Sequence, residues 1–211
     1  MATGSTVDRI LDTAEVLFAR KGFAETSLRA ITSKAGVNLA AVNYHFGSKE
    51  ALIQAVFQRY LDPFCVAMES EMSSIPADTS PSLEDLLFQV SHTSVAAQQG
   101  DARRVAIFFR LSGLAYTQAQ GHLRRFLKER YGRVFASFLQ RLQQAVPDVS
   151  PMELFWRVHF ALGSTIFTLS GMDSLRAICK ADFGDDLQPG DVDKRLIAFL
   201  AGGIRASLKA S

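Results

Sequence analysis

Hydrophobic residues recur every three to four positions along most of the chain, a spacing that predicts amphipathic helices. The first such stretch places its apolar side chains on one face and meets a helix-ending glycine at Gly22. These side chains are Val7, Ile10, Leu11, Ala14, Leu17 and Phe18. No alternating apolar and polar run is long enough to indicate a sheet. The pattern therefore predicts an all-α chain of about nine helices.

Capping residues predict where the helices begin. Thr26 suits the N-cap of a second, short helix that ends before Gly36, and Asn38 suits the N-cap of a third that ends near His45. A longer helix is predicted to begin at Ser48. The turn at this point divides the chain into a small unit, residues 1–47, and a larger one, residues 48–211.

The larger unit carries similar signals. Residues 73–81 are rich in Ser and Pro and predict a linker, while Ser82 and Ser150 each precede an acidic residue three positions later, which predicts capping boxes. One helix is expected to run on from Pro151. A loop over residues 182–190 is expected before a last helix capped by Asp191.

Residues 26–45 contain two short helices joined by a four-residue turn that includes Gly36. This is the helix-turn-helix pattern, whose second helix lies in the major groove of DNA. Small exposed residues let a helix sit deep in the groove, an Asn amide such as that of Asn43 pairs with adenine, and an Arg such as Arg29 pairs with guanine. The pattern predicts a double-stranded DNA partner.

The motifs Thr26-Ser27-Leu28-Arg29-Ala30-Ile31, Ala35-Gly36-Val37 and Tyr44-His45-Phe46-Gly47-Ser48-Lys49-Glu50-Ala51-Leu52 resemble the N-terminal domain of the TetR family of bacterial transcriptional regulators. The resemblance covers about residues 6–60. It implies a homodimeric repressor that reads a palindromic operator and has a helical C-terminal domain for a small molecule. It places Arg29, Leu39, Ala40 and Asn43 at base-facing positions and Thr26, Tyr44, His45 and Lys49 at phosphate-facing positions. Many members carry Leu-Tyr where this chain has Val42-Asn43, so Asn43 is expected to read sequence differently.

Charge is nearly balanced, with 23 Lys and Arg against 21 Asp and Glu, so DNA binding must depend on where the charges lie. Residues 61–90 hold six acidic and no basic residues, whereas residues 101–160 hold ten basic and four acidic. The basic face of the helix over residues 119–146 has two readings. In the first, this basic face attracts an anionic effector. In the second, it is a solvated face whose charges form ion pairs one helical turn apart.

Several classes are disfavoured by the sequence. No nucleophile elbow, phosphate-binding glycine loop or metal-ligand spacing appears, so no enzyme, cofactor or metal is predicted. The longest uncharged run has 15 residues, too few for a membrane span, and the acidic N-terminal helix does not resemble a signal peptide. Two cysteines indicate reduced thiols, and a cytoplasmic, nucleoid-associated bacterial protein is expected.

The helix from Pro151 is apolar on more than one face, which favours a partner subunit on one side and the core on the other. The predicted dimer interface comprises Phe155, Gly163, Phe167 and Gly171 with Phe199 and Ile204 of the last helix. The alternative is a helix buried entirely within one subunit.

Abundant phenylalanine in the larger unit suggests a long apolar cavity. The residues expected to line it are Phe88, Phe108, Phe109, Phe126, Phe160 and Phe167, with Arg103, Arg104 or Arg110 at the mouth. The stretches over residues 33–46 and 154–160 are most similar to the PsrA-type, fatty-acid-responsive members of the TetR family, a resemblance that implies a long-chain fatty acid or acyl-CoA effector. The alternatives are an ordinary packed core, a repressor that senses other hydrophobic, drug-type compounds, and an effector-independent architectural DNA-binding protein.

Overall fold

The computed structural model describes residues 5–76, 79, 81–118 and 121–207. Over these residues it contains ten helices and no strand, which confirms the all-α prediction. In chain order the helices are α1 (Thr6–Glu25), α2 (Leu28–Ala35), α3 (Leu39–Phe46), α4 (Lys49–Ser74), α5 (Leu83–Ala97), α6 (Ala102–Thr117), α7 (Gly121–Ala145), α8 (Pro151–Ser170), α9 (Met172–Phe183) and α10 (Pro189–Arg205).

Helices α1 to α3 pack around a small set of fully buried side chains. Ile10, Phe18 and Phe23 of α1 meet Ile31 of α2 and Val42 of α3, and none of the five is more than 1% exposed. Helices of eight residues are unstable alone in water, so this packing is what holds α2 and α3 in place.

The same core continues into the larger unit. Leu52 and Tyr60 of α4, Leu111 of α6 and Leu123 of α7 belong to the cluster that also contains the α1 side chains. The division expected after residue 47 falls at the α3–α4 turn, but one continuous core runs across it.

A second core joins α5, the end of α7, α8 and α10. Arg157 lies inside it, where it donates to Glu153 Oε1 at 2.8 Å and to the Ile204 carbonyl oxygen at 2.7 Å. Ile204 itself is only 2% exposed. Its predicted place in a dimer interface is wrong, because the inner face of α10 packs on α5 and α8 of its own subunit.

The N-caps agree with the sequence at several helices. The Asn38 side chain accepts from the Ala41 amide at 3.0 Å, and Ser48 accepts from Ala51 at 3.0 Å. Ser82 forms the full predicted capping box at α5. The Ser150 hydroxyl also accepts from the Glu153 amide, whereas the reciprocal half of the predicted box is not formed.

Other boundaries differ from the prediction. At α1 the difference is small, because Gly22, the predicted helix end, does interrupt the helix with a φ of 85°, and a last short helical stretch continues to Glu25. The helix from Pro151 is split at Gly171 into α8 and α9. The last helix begins at Pro189, without a side-chain cap, rather than at an Asp191 cap. Within the described ranges, no helix has the length and apolar character of a membrane span.

Candidate nucleic-acid interface

The turn between α2 and α3 is built around Gly36, whose φ of 65° is the left-handed conformation that glycine adopts readily. Arg9 of α1 reaches over this turn and donates from Nη2 to the Ala35 carbonyl at 2.6 Å and to the Gly36 carbonyl at 2.9 Å. A Cβ at Gly36 would lie 2.8 Å from that Nη2 atom. Arg9 was missed by sequence reasoning, because nothing local indicates a contact 26 residues away.

Helix α3 turns its polar and small residues outward. Val42 is fully buried against the core, whereas Leu39, Ala40 and Asn43 are exposed. Tyr44 is 86% exposed, far more than a tyrosine of a packed helix. The predicted base-facing residues of α3 thus share one solvent-exposed face.

The end of α3 carries the Tyr44 and His45 rings edge to face, 5.0 Å apart between centroids. At the start of α4, Lys49 donates to the Ala24 carbonyl at 3.1 Å. This hydrogen bond holds the start of α4 against the chain that leads from α1 into α2. Lys49 keeps two further N–H donors for another partner.

Thr26 does not occupy the predicted phosphate-facing position. Its side chain is fully buried, and its hydroxyl donates to the Gly22 carbonyl at 2.7 Å and approaches the Leu17 carbonyl at 3.2 Å. The N-cap of α2 is instead Ser27, whose exposed hydroxyl accepts from the Ala30 amide at 3.1 Å. Both predictions for Thr26 are wrong, since its hydroxyl is used inside the protein to close the end of α1.

The helix-turn-helix segment is positively charged. Residues 26–49 contain Arg29, Lys34 and Lys49 and no Asp or Glu. Arg29 and Lys34 are exposed on α2, beside the exposed face of α3. A positive surface with a protruding helix suits a polyanion with a groove, which is the geometry of duplex DNA.

The predicted cavity is not formed by the predicted residues. Phe88, Phe160 and Phe167 are 58%, 66% and 69% exposed, so they line no enclosed space. Phe109 is 7% exposed and contacts Phe108 at 5.3 Å between ring centroids, while the half-buried Phe108 and Phe126 pack against the core. Periodicity identifies these faces as apolar but does not indicate which of them the fold covers.

The arginines expected at a cavity mouth also lie elsewhere. Arg110 is exposed and donates to the Ser170 carbonyl at 3.2 Å, which ties α6 to the end of α8. Arg104 packs over the Tyr60 ring at 4.9 Å from its centroid. Arg103 is exposed in the first turn of α6. The three arginines are therefore spread over α6 rather than gathered at one opening.

An open groove of about 480 Å³ lies between the end of α4 and α5. Its lining includes Glu71, Ile75, Asp85, Phe88 and His92. The Phe88 and His92 rings are stacked at 6.0 Å, and Glu71 accepts a hydrogen bond from Thr93 at 3.0 Å. The groove thus combines an aromatic wall with two carboxylates.

Among the residues that the structure describes, no group of His, Cys, Asp and Glu side chains is arranged to hold a metal ion.

One face of α8 and α10 is apolar and exposed. Its large side chains, each at least 51% exposed, are Phe155, Trp156, Phe160, Phe167 and Phe199. Gly163 lies exposed among them, with no atom within 4 Å of where its Cβ would be. Gly171 ends α8, where its amide donates to the Phe167 carbonyl, and its place in a dimer interface stays a prediction.

These features define, over the described residues, an all-helical protein with an N-terminal helix-turn-helix. Two family models match the chain: residues 10–56 match "Bacterial regulatory proteins, tetR family", and residues 92–203 match "Tetracyclin repressor-like, C-terminal domain". The second match alone takes in more than half of the chain. The chain belongs to the TetR family of transcriptional regulators, which bind DNA and are not enzymes.

Relatives and solved structures agree with the family assignment. The probable HTH-type transcriptional regulator YttP of Bacillus subtilis is 33% identical over 87 residues, 41% of this chain and 42% of that protein. The HTH-type transcriptional repressor KstR2 of Rhodococcus jostii is 28% identical over 102 residues, 46% of this chain and 50% of that protein. The fatty acid degradation regulator FadR of Bacillus halodurans has the same fold, with a TM-score of 0.58 at 18% identity over 98% of this chain and 100% of that one. The matches to YttP and KstR2 therefore span only about half the length of each of these two curated relatives.

Proposed function

We propose that this protein is a homodimeric repressor that binds a palindromic operator through α3 of each subunit and is released from it by an apolar small molecule. The observation that carries the DNA-reading part is the exposed face of α3, held outward by buried Val42 and by the Arg9 contacts to the α2–α3 turn. A helix presented in this way can enter the major groove.

Within this proposal, Leu39 and Ala40 contact thymine methyl groups, Asn43 pairs with adenine, and Arg29 pairs with guanine. Tyr44, His45 and Lys49 contact phosphates, which fix the register of the protein on the duplex. Ser27 takes the phosphate-facing place that was predicted for Thr26, because its hydroxyl and the free amides at the start of α2 are exposed.

The exposed apolar face of α8 and α10 supports the dimer. Aromatic side chains gathered on one surface favour association in water, and the uncrowded Gly163 allows a second helix to approach closely. Two copies of α8 and α10 would form a four-helix contact around a two-fold axis. A two-fold dimer in turn presents two copies of α3 to the two halves of a palindrome.

The effector that we propose is a long-chain fatty acid or acyl-CoA, as the sequence resemblance implies. The support is the absence of acidic residues from Val105 to Leu127, the phenylalanine-rich core between α4, α6 and α7, and the shared fold with a regulator of fatty acid degradation. Because Phe108 and Phe126 pack against that core and Phe109 is buried, an acyl chain would have to displace these side chains.

The groove beside α5 favours a second candidate, a cationic aromatic effector. Glu71 and Asp85 supply negative charge, and the stacked Phe88 and His92 rings supply a flat surface for a planar cation. This is the drug-type alternative within the same family.

The proposal is tested in two stages. Duplexes selected by the full-length protein from a random library should share a palindrome, and the complex should contain two subunits. Release of the selected duplex is then measured with fatty acids and acyl-CoA of eight to eighteen carbons and with cationic dyes. Affinity that rises about fourfold per added CH₂ supports the acyl effector. Release by cationic dyes alone supports the groove instead.

A further inference from the structure

Helix α7 runs alongside α4 in the same direction. Arg130 of α7 pairs with Asp62 of α4 at 2.9 Å, and further along Arg141 donates to the Met72 carbonyl at 2.9 Å. Residue numbers therefore rise together on the two helices. The N-terminus of α7 lies at the same end of the molecule as the N-terminus of α4, which directly follows α3.

The corner where α6 leads into α7 is attached to the DNA-binding unit. Gln118 accepts a hydrogen bond from the Phe23 amide at 3.1 Å, and its Nε2 atom lies 2.7 Å from where a Cβ of Gly22 would be. The neighbouring Ala24 carbonyl accepts from Lys49. Residue 118 thus contacts the same short stretch of chain as one of the proposed phosphate ligands.

Three cations lie on the first two turns of α7, and we call them the basic corner: Arg124, Arg125 and Lys128. All three are exposed, and in the described part of the chain no carboxylate lies within 4 Å of their charged groups. Arg130 and Arg133, further along the same helix, are instead paired with Asp62 and Glu69 of α4. The basic corner is therefore a cluster of three α7 cations without a carboxylate partner among the described residues, and it lies at the start of the helix, whereas Arg141 near its end donates to the Met72 carbonyl.

Helical geometry directs these side chains toward the DNA-binding end. A helix rises 1.5 Å per residue, so the three residues lie within about 11 Å of the start of α7. Side chains on a helix lean toward its N-terminus, which here is the end that meets α1 and α4. Long basic side chains in this position therefore lie at the end of the molecule where α4 follows α3.

We infer that the basic corner contacts phosphates of the bound duplex, in addition to those held by α2, α3 and the start of α4. This inference rests on the proposed DNA binding and extends it to a helix of the effector domain. Arginine is suited to the contact, because its guanidinium binds a phosphate through two parallel hydrogen bonds. The opposing charges nearby are Glu25 of α1, Glu50 of α4 and Glu129 of α7, all exposed.

The test uses the full-length protein and a duplex that the wild type selects from a random library. The variant combines Arg124→Ala, Arg125→Ala and Lys128→Ala, and affinity is measured by fluorescence anisotropy over a range of salt concentrations. If each subunit loses at least one phosphate contact, the slope of log affinity against log salt flattens by about 2 and affinity at 0.1 M salt falls at least about tenfold. The loss should be similar for all duplex sequences.

A second measurement locates the contact. Single phosphates of the duplex are replaced by neutral methylphosphonates, one position at a time. Some positions that weaken wild-type binding should no longer matter to the triple variant, because the cation that used them is gone. Arg133→Ala is the control, since it removes a charge from the same helix about 8 Å beyond Lys128, the last residue of the basic corner. It should leave the salt slope and the phosphate pattern unchanged.

The outcomes separate clearly. Identical methylphosphonate patterns for the wild type and the triple variant would overturn the inference, even if affinity fell, because the field of the protein alone produces such a fall. An equal effect of Arg133→Ala would overturn it as well. Circular dichroism and the melting temperature check that the variants are folded. If the wild type selects no duplex at all, the proposed function fails rather than the basic corner.

Discussion

Arg104 of α6 lies over the Tyr60 ring and brings its guanidinium to 3.9 Å from the buried carboxylate of Glu15 on α1. Arg59 approaches the same carboxylate from α4, at 3.6 Å. Glu15 is only 5% exposed, and its Oε2 atom has no hydrogen-bond partner. A poorly satisfied charge therefore lies where the DNA-binding unit meets α4 and α6.

Burial raises the pKa of Glu15, and the charges of Arg59 and Arg104 offset this only in part. A carboxyl whose pKa is raised on folding favours the fold most below its unfolded pKa, and that contribution is lost as pH rises through the folded pKa. Replacing Glu15 by Gln should therefore raise the melting temperature at pH 7, by about 2–4 °C for roughly 1 kcal/mol, and change it little near pH 4. Thermal unfolding from pH 4 to pH 8 checks this. A lower melting temperature for Glu15→Gln at pH 7 would mean that the ion pairs outweigh burial.

Arg104 is expected to stabilise the protein chiefly through Glu15 and Tyr60. Arg104→Ala removes the stacked guanidinium and leaves the buried carboxylate with Arg59 alone, which should cost about 1–3 kcal/mol of the free energy of unfolding. The same substitution in a Glu15→Gln background should cost clearly less, since the two side chains are coupled. Arg103→Ala, an exposed neighbour, is the control and should change stability little. Equal costs in both backgrounds would contradict the coupling.

Local sequence signals predicted what depends on neighbours along the chain. The caps at Asn38, Ser48 and Ser82 use a side chain and an amide three residues apart, so the sequence alone specifies them. Thr26 and Ser27 are both good caps, and the choice between them follows from the carbonyls of Leu17 and Gly22, which bury the threonine. Tertiary packing moved that boundary by one residue.

The aromatic residues of the larger unit illustrate the limit of periodicity. Phe109 and Phe167 both lie on apolar helix faces, yet one is 7% and the other 69% exposed. The difference depends on which helices pack together, and a single helix does not specify that. The bonds from Arg9 to the α2–α3 turn, 26 and 27 residues away, have no local signal either.

Arg9 is expected to hold the α2–α3 turn in the shape that α3 requires. Arg9→Ala leaves the carbonyl oxygens of Ala35 and Gly36 without their charged donor, which should lower the free energy of unfolding by about 1 kcal/mol. It should also weaken binding to all duplexes, because α3 is less well oriented. Arg20→Ala, an exposed arginine on the same helix, serves as the control. If Arg9→Ala had the same free energy of unfolding as the wild type, the α2–α3 turn would be stable without the Arg9 hydrogen bonds.

Asn43 should contribute to sequence preference rather than to general affinity. Asn43→Ala removes an amide that we expect to pair with adenine, at a cost of about 1–3 kcal/mol on the selected palindrome for each base pair read. Binding to a random duplex should not change. Lys49→Ala should behave in the opposite way, weakening both duplexes and flattening the salt dependence. If Asn43→Ala weakened binding to both duplexes equally, Asn43 would contact the DNA backbone rather than a base.

The exposed face of α8 gives a matched test of the dimer. Phe167 on that face and Val66 on α4 are 69% and 68% exposed in the single subunit, so arginine at either position costs a monomer little. In the proposed dimer, Phe167→Arg puts an unpaired charge into a closely packed apolar contact, where desolvation costs several kcal/mol. Sedimentation should then give a monomer for Phe167→Arg and a dimer for Val66→Arg, with palindrome binding lost only in the first. A dimer in both variants would place the subunit contact away from α8, and a monomer in both would extend it to α4.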